Sequence, residues 1–285
     1  MIGLERGTVK LFDHDEAWET EAVRTIKMLR GIFGETAVSA QHIGSTAIPF
    51  IKAKPIIDIV VGVTSLKKTE ALTPSLEERG FIKRADEEDH MLFTCVGETE
   101  NVRTHHVHVV PYGESLWVNY ISFRDYLIAN PDVAKAYEGL KMELAEKYPS
   151  DREAYTDAKH DFIRHATRKA VVYHYLGKTV HIGIDRPIGF LHEKKPESIL
   201  YPINYGYIPK VMGGDDEELD VYLLGVSEPV SEYTCRIIGI VHRSDDVEDK
   251  LIGAPEGVTF TAEEMEKAVR FQEKYHESYV EALAF

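Results

Sequence analysis

The sequence is poor in cysteine, in long apolar runs and in positive charge, and each shortage excludes a class of protein. Two cysteines in 285 residues cannot form a disulfide framework, so we expect reduced thiols and a cytoplasmic location. The most apolar stretch, residues 48–63, is broken by Lys52, Lys54 and Asp58 and cannot span a bilayer. No basic region followed by an apolar core stands at the start, which predicts no secretory signal.

Positive charge is outnumbered, with 33 Lys and Arg against 48 Asp and Glu and a net charge of −15. Binding to nucleic acid or to an anionic membrane needs a basic surface, so we predict neither kind of partner. The negative charge is compatible with cations and with substrates that arrive as metal complexes.

The length of the chain and a change in its pattern predict two domains, 1–175 and 176–285. In the first, helix patterns alternate with strand patterns, which is typical of an α+β or α/β domain. Helices are predicted over 16–33, after the Asn130-Pro131 start, and from the capping box at 150–153 to about Tyr175. The predicted strands are 56–63, 91–96 and 105–110.

The second domain reads as a small OB-like β-barrel followed by one helix, which makes the whole chain α+β. Its short β-branched segments are separated by Gly, Pro and Asp clusters, and Thr261–Glu264 is a capping box that opens the final helix. The predicted strands are 180–184, 219–226, 235–241 and 251–254.

Nine carboxylates of this domain fall in two runs, five within 215–220 and four within 245–250. Like charges repel unless they are solvated or neutralised, and several converging carboxylates suit Mg²⁺. Two solvated acidic turns are the alternative reading. Asp220 abuts an apolar strand, where a carboxylate is costly without a partner, and this position favours a metal site.

A tyrosine-rich segment, Tyr201-Pro-Ile-Asn-Tyr205-Gly-Tyr-Ile-Pro209, precedes the first acidic run. Its phenols are hydrogen-bond donors on a stiff backbone, although an aromatic core corner would look the same. Together with the carboxylates, the segment resembles the soluble family I inorganic pyrophosphatases. The residues that carry the resemblance are 201–208, the acidic positions 215, 217 and 220, Asp245, then Glu248 or Asp249, Lys250-Leu251, and 271–276.

The resemblance implies Mg²⁺-dependent hydrolysis of pyrophosphate. It implies metal ligands at Asp215, Glu217, Asp220, Asp245 and Glu248, with Asp215 or Glu217 as the proton acceptor. Catalytic roles fall to Tyr205 and Lys250, and substrate contacts to Lys194, Tyr201 and Tyr275. Arg186 is the candidate replacement for an arginine of the family.

In the first domain, a Gly44-Ser45-Thr46 turn precedes Asp58, which lies inside an apolar strand. Such a turn can offer N–H groups and hydroxyls to a phosphate. Asp58 is either hydrogen-bonded within the fold or functional, because an unpaired charge there would be expensive. His106 and His108 alternate on a strand and project to one face, in either a structural or a functional role.

The order of these residues, together with 123–127, Tyr137, Lys141, Tyr155 and Lys159, resembles the GrpB family across about residues 8–170. The resemblance implies a nucleotidyltransferase-like fold, a phosphate loop at Gly44, Ser45 and Thr46, and Asp58 as a metal ligand. Arg124, Lys141 and Lys159 are the candidate phosphate contacts, with a solvated helix face as the alternative.

We therefore expect the second domain to hydrolyse pyrophosphate or a related phosphoanhydride with Mg²⁺. The first domain is expected to bind a nucleotide or another phosphorylated ligand, and the chain could form a homo-oligomer. The alternative is a non-catalytic sensor or scaffold built from two degenerate domains.

Overall fold

The computed structural model describes residues 1–97, 99, 101–193, 198–215 and 217–283. The chain divides into two compact units, Met1–Thr167 and Arg168–Phe285. This division falls within the helix His160–Tyr175, and the domain boundary drawn from the sequence at 175 and 176 stays a prediction. No helix in the described part of the chain is long and apolar enough to cross a membrane.

The first unit is built on a mixed sheet packed by helices. Its strands are β1 (Leu4–Glu5), β2 (Ala37–Ile43), β3 (Ile57–Val63), β4 (Phe81–Asp86), β5 (Met91–Val96) and β6 (Val102–Pro111). The helices up to the division are α1 (Glu16–Phe33), α2 (Leu66–Glu70), α3 (Thr73–Glu77), α4 (Ser115–Ala129), α5 (Pro131–Lys147), α6 (Arg152–Asp157) and α7 (His160–Tyr175). The strand order is β2-β3-β6-β5-β4, and β1 pairs with β6.

The parallel pairing of β3 with β6 sets up the polar residues of this unit. Its register places Asp58 beside His106 and Val60 beside His108. The residues of β3 other than Asp58 are buried, which explains why that strand reads as a continuous apolar run. Helix α1, capped by Asp15, packs its apolar face on the same sheet.

The helix predicted from 150 to 175 is wrong in its start and in its continuity. Asp151, not Ser150, caps α6, and its side chain accepts a hydrogen bond from the backbone N–H of Ala154. The helix then stops, because the backbone N–H of Lys159 bonds three residues back to the carbonyl of Thr156, and α7 starts afresh.

The second unit is a β-barrel with one helix. Its elements are β7 (Thr179–Arg186), β8 (Leu191–His192), β9 (Ile199–Leu200), β10 (Asn204–Met212), β11 (Glu218–Leu223), β12 (Glu232–Arg243), β13 (Lys250–Ala254), α8 (Ala262–Glu273) and β14 (Ser278–Ala282). The order β13-β11-β10-β7-β12 closes on itself because β13 also pairs with β12. The predicted α+β class, the small barrel and the helix that follows it are confirmed.

One detail of the barrel differs from expectation. Helix α8 has the predicted capping box at Thr261 and Glu264, but it does not end the fold, because β14 follows it and pairs with β12. The tyrosine segment forms most of β10, which pairs with β7 and β11, and it buries Tyr201 and Tyr205 in the core of the barrel.

Candidate functional site

Lys250 is the centre of the polar site in the second unit. Its ammonium donates to the Tyr205 hydroxyl at 2.9 Å and to Glu248 Oε2 at 2.8 Å, and it also contacts Asp220 Oδ2. Asp220 and Lys250 meet because each stands one residue before the first paired position of the parallel strands β11 and β13. The strand pairing therefore delivers a carboxylate from the first acidic run to the lysine that ends the second.

Tyr205 reaches this centre from β10. Its ring is buried among the aromatic residues of the barrel, 4.9 Å from the ring of Tyr222. Burial, reinforced by the charge of Asp220, raises the pKa of the Tyr205 hydroxyl well above its usual value. The phenol therefore stays protonated and keeps a proton to donate.

Glu248 carries an oxygen without a partner. The side chain is buried, and its Oε1 makes no hydrogen bond in the structure. Burial raises the pKa of Glu248 to about 7, and the nearby carboxylates Asp220 and Asp215 contribute to the shift. Gly213 packs so closely that a Cβ there would lie 2.3 Å from Oε1. The close packing of Gly213 therefore keeps the Glu248 carboxylate near Asp220 and Asp215.

The donors at this site fit a hard divalent cation. Asp215, Asp220 and Glu248 offer carboxylate oxygens, the ligands that Mg²⁺ prefers, and the orphaned oxygen of Glu248 is available for one. Within the described residues, no three His, Cys, Asp or Glu side chains are already grouped closely enough to hold a metal. Lys250 supplies the positive charge in this arrangement, and Asp215 Oδ1 accepts from the backbone N–H of Glu217 at 3.1 Å.

Arg186 and Tyr201 extend the site along β7 and β10. The Arg186 guanidinium donates to the Tyr201 hydroxyl at 2.8 Å, and its carbon lies 5.0 Å from the centroid of the Tyr205 ring. Tyr201 in turn donates to Gln272 on α8 at 3.1 Å. A second cation thus stands beside Tyr205, where the sequence offered only a candidate.

The remaining predicted residues are placed differently. Asp245 Oδ1 lies 3.5 Å from His276 Nδ1, outside the contacts of Lys250. Tyr275 is 49% exposed and has the Lys274 ammonium 4.8 Å from its ring centroid. Lys194 lies outside the described residues.

Glu248 and Asp249, between which the sequence left the choice open, lie in different surroundings. Asp249 accepts from Lys169 at 2.7 Å and from His242 Nδ1 at 2.8 Å, away from Lys250. Its carboxylate also accepts the backbone N–H of Arg243 at 3.1 Å. Asp249 is therefore occupied in holding α7 and β12, and Glu248 is the carboxylate at the site.

In the first unit, the Gly44 turn lies against Asp58. Gly44 has φ +70°, and a Cβ there would lie 2.5 Å from Asp58 Oδ2, so both its conformation and its surroundings require glycine. The next residue, Ser45, accepts from the Lys141 ammonium at 3.1 Å. Thr46 contacts His42 Nε2 at 2.9 Å instead.

Asp58 is held by a histidine. His106 Nδ1 lies 2.9 Å from Asp58 Oδ1, and His106 Nε2 lies 3.5 Å from Arg152. His108, predicted on the same face, contacts His90 and Tyr120, each at 3.0 Å. The carboxylate in the apolar strand thus has a side-chain partner.

Arg124 has structural partners on the side of α4. It donates to Gln41 Oε1 at 2.9 Å and to the carbonyl of His42 at 2.8 Å, and it pairs with Asp125. Its role as a phosphate contact stays a prediction.

Sequence reasoning missed Arg152 and the significance of Lys54. Lys54 and Lys159 both place their ammonium groups over the ring of Tyr155, at 5.0 and 4.4 Å from its centroid. Tyr155 and Lys159 belong to the GrpB resemblance, but no local pattern shows that Lys54, about a hundred positions earlier, shares the same ring. The only signal in the sequence was that Lys54, Arg152 and Lys159 are positive charges in an acidic chain.

Each unit matches a family model. Residues 8–169 match the family model described as GrpB protein, and residues 167–281 match the model described as inorganic pyrophosphatase. The glutamate-rich protein GrpB of Alkalihalophilus pseudofirmus is 44% identical over 167 residues, which are 57% of this chain and 96% of that protein.

Two solved structures align with parts of the chain. The conserved protein GrpB from Enterococcus faecalis aligns with 58% of this chain and 99% of its own, at 28% identity and a TM-score of 0.54. An inorganic pyrophosphatase from Ehrlichia chaffeensis aligns with 38% of this chain and 87% of its own, at 19% identity and a TM-score of 0.30.

Proposed function

The chain belongs to the GrpB family and continues into a segment that matches the inorganic pyrophosphatase model, and on this premise we propose that its second unit hydrolyses pyrophosphate or a related phosphoanhydride with Mg²⁺. The observation that carries the proposal is the contact of Lys250 with Tyr205, Asp220 and Glu248, next to an unpartnered carboxylate oxygen. Cations, a protonated phenol and spare carboxylate oxygens are the groups that phosphoanhydride hydrolysis needs.

The residues divide into those that hold a cation and those that face the substrate. Asp215, Glu217, Asp220 and Glu248, with Asp245, would hold Mg²⁺. Bound Mg²⁺ would supply charge neutralisation at the phosphate oxygens and a lower pKa for water.

The protein's own cations and phenols would bind the substrate. Lys250 and Arg186 offer charged donors to the phosphate oxygens, and Tyr205 offers a neutral one, all on rigid strands. Asp215 or Glu217 would accept the proton of the attacking water. Tyr201 would contact the substrate beside Arg186. The substrate contacts of Tyr275 and Lys194 stay predictions.

A specific observation supports the non-catalytic alternative. Lys250 already compensates Asp220 and Glu248, so the described side chains reach a partly neutral arrangement without a metal. In that case the second unit would bind a phosphorylated ligand through Lys250 and Arg186 and would not turn it over.

A phosphate-release assay separates these functions. We expect the purified chain to release phosphate from pyrophosphate when Mg²⁺ is present and to stop when the metal is chelated. Release from nucleoside triphosphates but not from pyrophosphate would redirect the activity to another phosphoanhydride. Ligand-induced thermal stabilisation without release from any substrate would support the binding module.

A further inference from the structure

A cavity of about 410 Å³ lies in the first unit beside β2, the edge strand of its sheet, and we call it the edge cavity. It is bordered by α1, by His42 of β2, by the turn at Thr46 and Ala47, and by α4. Small-molecule sites in proteins commonly have volumes of about 300–1,000 Å³. The edge cavity is therefore large enough for a small organic ligand.

The walls of the edge cavity are largely apolar. Helix α1 contributes Ala22, Val23 and Ile26, and α4 contributes Ile128. Val23 is 62% exposed and Ile128 is 40% exposed, although both are aliphatic. Covering them would remove apolar surface from water, which favours a ligand with a hydrocarbon body.

His42 offers this cavity a hydrogen-bond acceptor. Its Nε2 lies 2.9 Å from Thr46 Oγ1, and that hydroxyl donates to the carbonyl of Ile56 at 3.4 Å. Because the hydroxyl proton is used there, the hydroxyl oxygen accepts from the Nε2–H of His42, and Nδ1 keeps a lone pair. Burial lowers the pKa of His42 to about 4, so the ring is neutral near pH 7. Nδ1 has no hydrogen-bond partner among the described residues.

The uncompensated charge at the edge cavity is negative. Arg124 lines it, but its Nε and Nη2 lie 2.8 and 2.7 Å from Asp125, and its Nη1 donates to Gln41 and to the carbonyl of His42. Arg124 and Asp125 therefore neutralise each other. Glu19 of α1 also lines the cavity, and in the described part of the chain its exposed carboxylate has no ion-pair partner.

His14 adds a polar atom without a partner. Its ring, which lines the edge cavity, lies edge-on to Trp18 with the centroids 5.4 Å apart. Its Nδ1 is buried and makes no hydrogen bond within the described structure. Buried polar atoms are normally hydrogen-bonded, so an unpaired one beside a cavity favours a ligand that carries a polar group.

We propose that the edge cavity binds a small organic amine, whose ammonium group donates to His42 and pairs with Glu19 while its hydrocarbon body covers the apolar walls. A carboxylate and a lone-pair nitrogen both accept from an ammonium, whereas an anion would meet Glu19 and an arginine that is already paired. The site is separate from the phosphate contacts implied for the Gly44 turn, because Lys141 and Lys159 do not line it. It also lies outside the second unit, so it does not depend on the hydrolysis proposed there.

Calorimetric titration of the full chain at pH 7 tests the chemistry of the ligand. The probes are 2-phenylethylamine, 3-phenylpropionate, which carries a carboxylate in place of the ammonium, and ethylamine, which lacks the ring. We expect 2-phenylethylamine to bind at one site, about tenfold or more tightly than either of the others. Equal or tighter binding of 3-phenylpropionate or of ethylamine, or no measurable binding of 2-phenylethylamine, would overturn the proposal.

Matched variants place the bound amine in the edge cavity. His42→Gln keeps a donor for Thr46 but removes Nδ1, and it should weaken the binding of 2-phenylethylamine about tenfold. Glu19→Gln should weaken it about fivefold, while Glu16→Gln, an exposed residue of the same helix outside the cavity, should leave it unchanged.

Thermal melts establish that each variant is folded before its affinity is read. Glu19 is exposed, so Glu19→Gln tests the site even if His42→Gln does not fold. Unchanged affinity in a folded Glu19→Gln or His42→Gln variant, or an equal loss in Glu16→Gln, would show that the amine does not bind in this cavity.

Discussion

Single residues decide most of the chemistry in both units, and lysine is used in opposite ways. Lys250 is surrounded by carboxylates, and their charges raise its pKa although burial opposes the shift. Burial lowers the pKa values of Lys54, Lys141 and Lys159, and neighbouring cations add to the shift. Lys250 is compensated by carboxylates, whereas the other three lysines lack such a partner within ion-pair distance among the described residues.

The lowered lysine pKa values predict how stability depends on pH. In the unfolded chain a lysine has a pKa of about 10.4, so above pH 7 the folded protein binds fewer protons than the unfolded one. Stability should therefore rise with pH between about 7 and 9.5. The window ends there because burial raises the pKa of Tyr120, Tyr137 and Tyr155, which reverses the sign once unfolded tyrosine ionises.

Thermal melts in anion-poor buffer at pH 7, 8 and 9 measure this slope for the first unit. Lys54→Gln should flatten it, while Lys68→Gln, an exposed lysine of α2, should not. A melting temperature that falls steadily over this range would contradict the lowered pKa values of Lys54, Lys141 and Lys159.

At the scale of elements, the strand pairings create the sites. The parallel pairings β3–β6 and β11–β13 bring distant polar residues together, Asp58 with His106 and Asp220 with Lys250. Periodicity and capping signals predicted α1, α8 and the strand Met91–Val96, since those signals are local. They could not predict β14, which depends on pairing with β12, or the break before α7, where the backbone N–H of Lys159 bonds to the carbonyl of Thr156.

A substitution at Gly206 tests whether the close approach of β10 to β7 positions Tyr205. A Cβ at Gly206 would lie 1.8 Å from the Gly183 carbonyl oxygen, so Gly206→Ala must push β10 away from β7. We expect the second unit to lose more than about 2 kcal/mol of stability, within the range of overpacked sites.

Urea denaturation followed by circular dichroism measures this loss. Gly139→Ala is the matched control, because a Cβ at this position in α5 meets nothing within 4 Å. That change should stabilise the first unit by about 0.5–1 kcal/mol. Equal effects of the two substitutions would show that the approach of β10 to β7 is not constrained.

At the scale of the whole molecule, the two units distribute charge differently within an acidic chain. Part of the net charge of −15 is the carboxylate set around Lys250, which a divalent cation would neutralise further. The first unit contains the opposite, a cationic region within an acidic chain. Composition averages over units and cannot show a local excess of positive charge.

Motif order took the prediction of the sites further than composition did. It singled out Tyr205, Asp220 and Lys250, and the fold brings these three side chains into contact. It could not choose between Glu248 and Asp249, since adjacent residues of a loop differ only in which partners they meet, here Lys250 or Lys169. Arg152 was missed for the same reason, because its relation to His106 exists only in the folded chain.

The most direct test of the central claim is the rate of phosphate release from pyrophosphate at saturating Mg²⁺ by Asp220→Asn. Its control is Glu266→Gln, an exposed carboxylate of α8 that makes the same chemical change outside the site. We predict that Asp220→Asn loses at least 100-fold in rate, about 2.7 kcal/mol of transition-state stabilisation, and that Glu266→Gln keeps the wild-type rate. Full activity in a folded Asp220→Asn variant would contradict hydrolysis at this site.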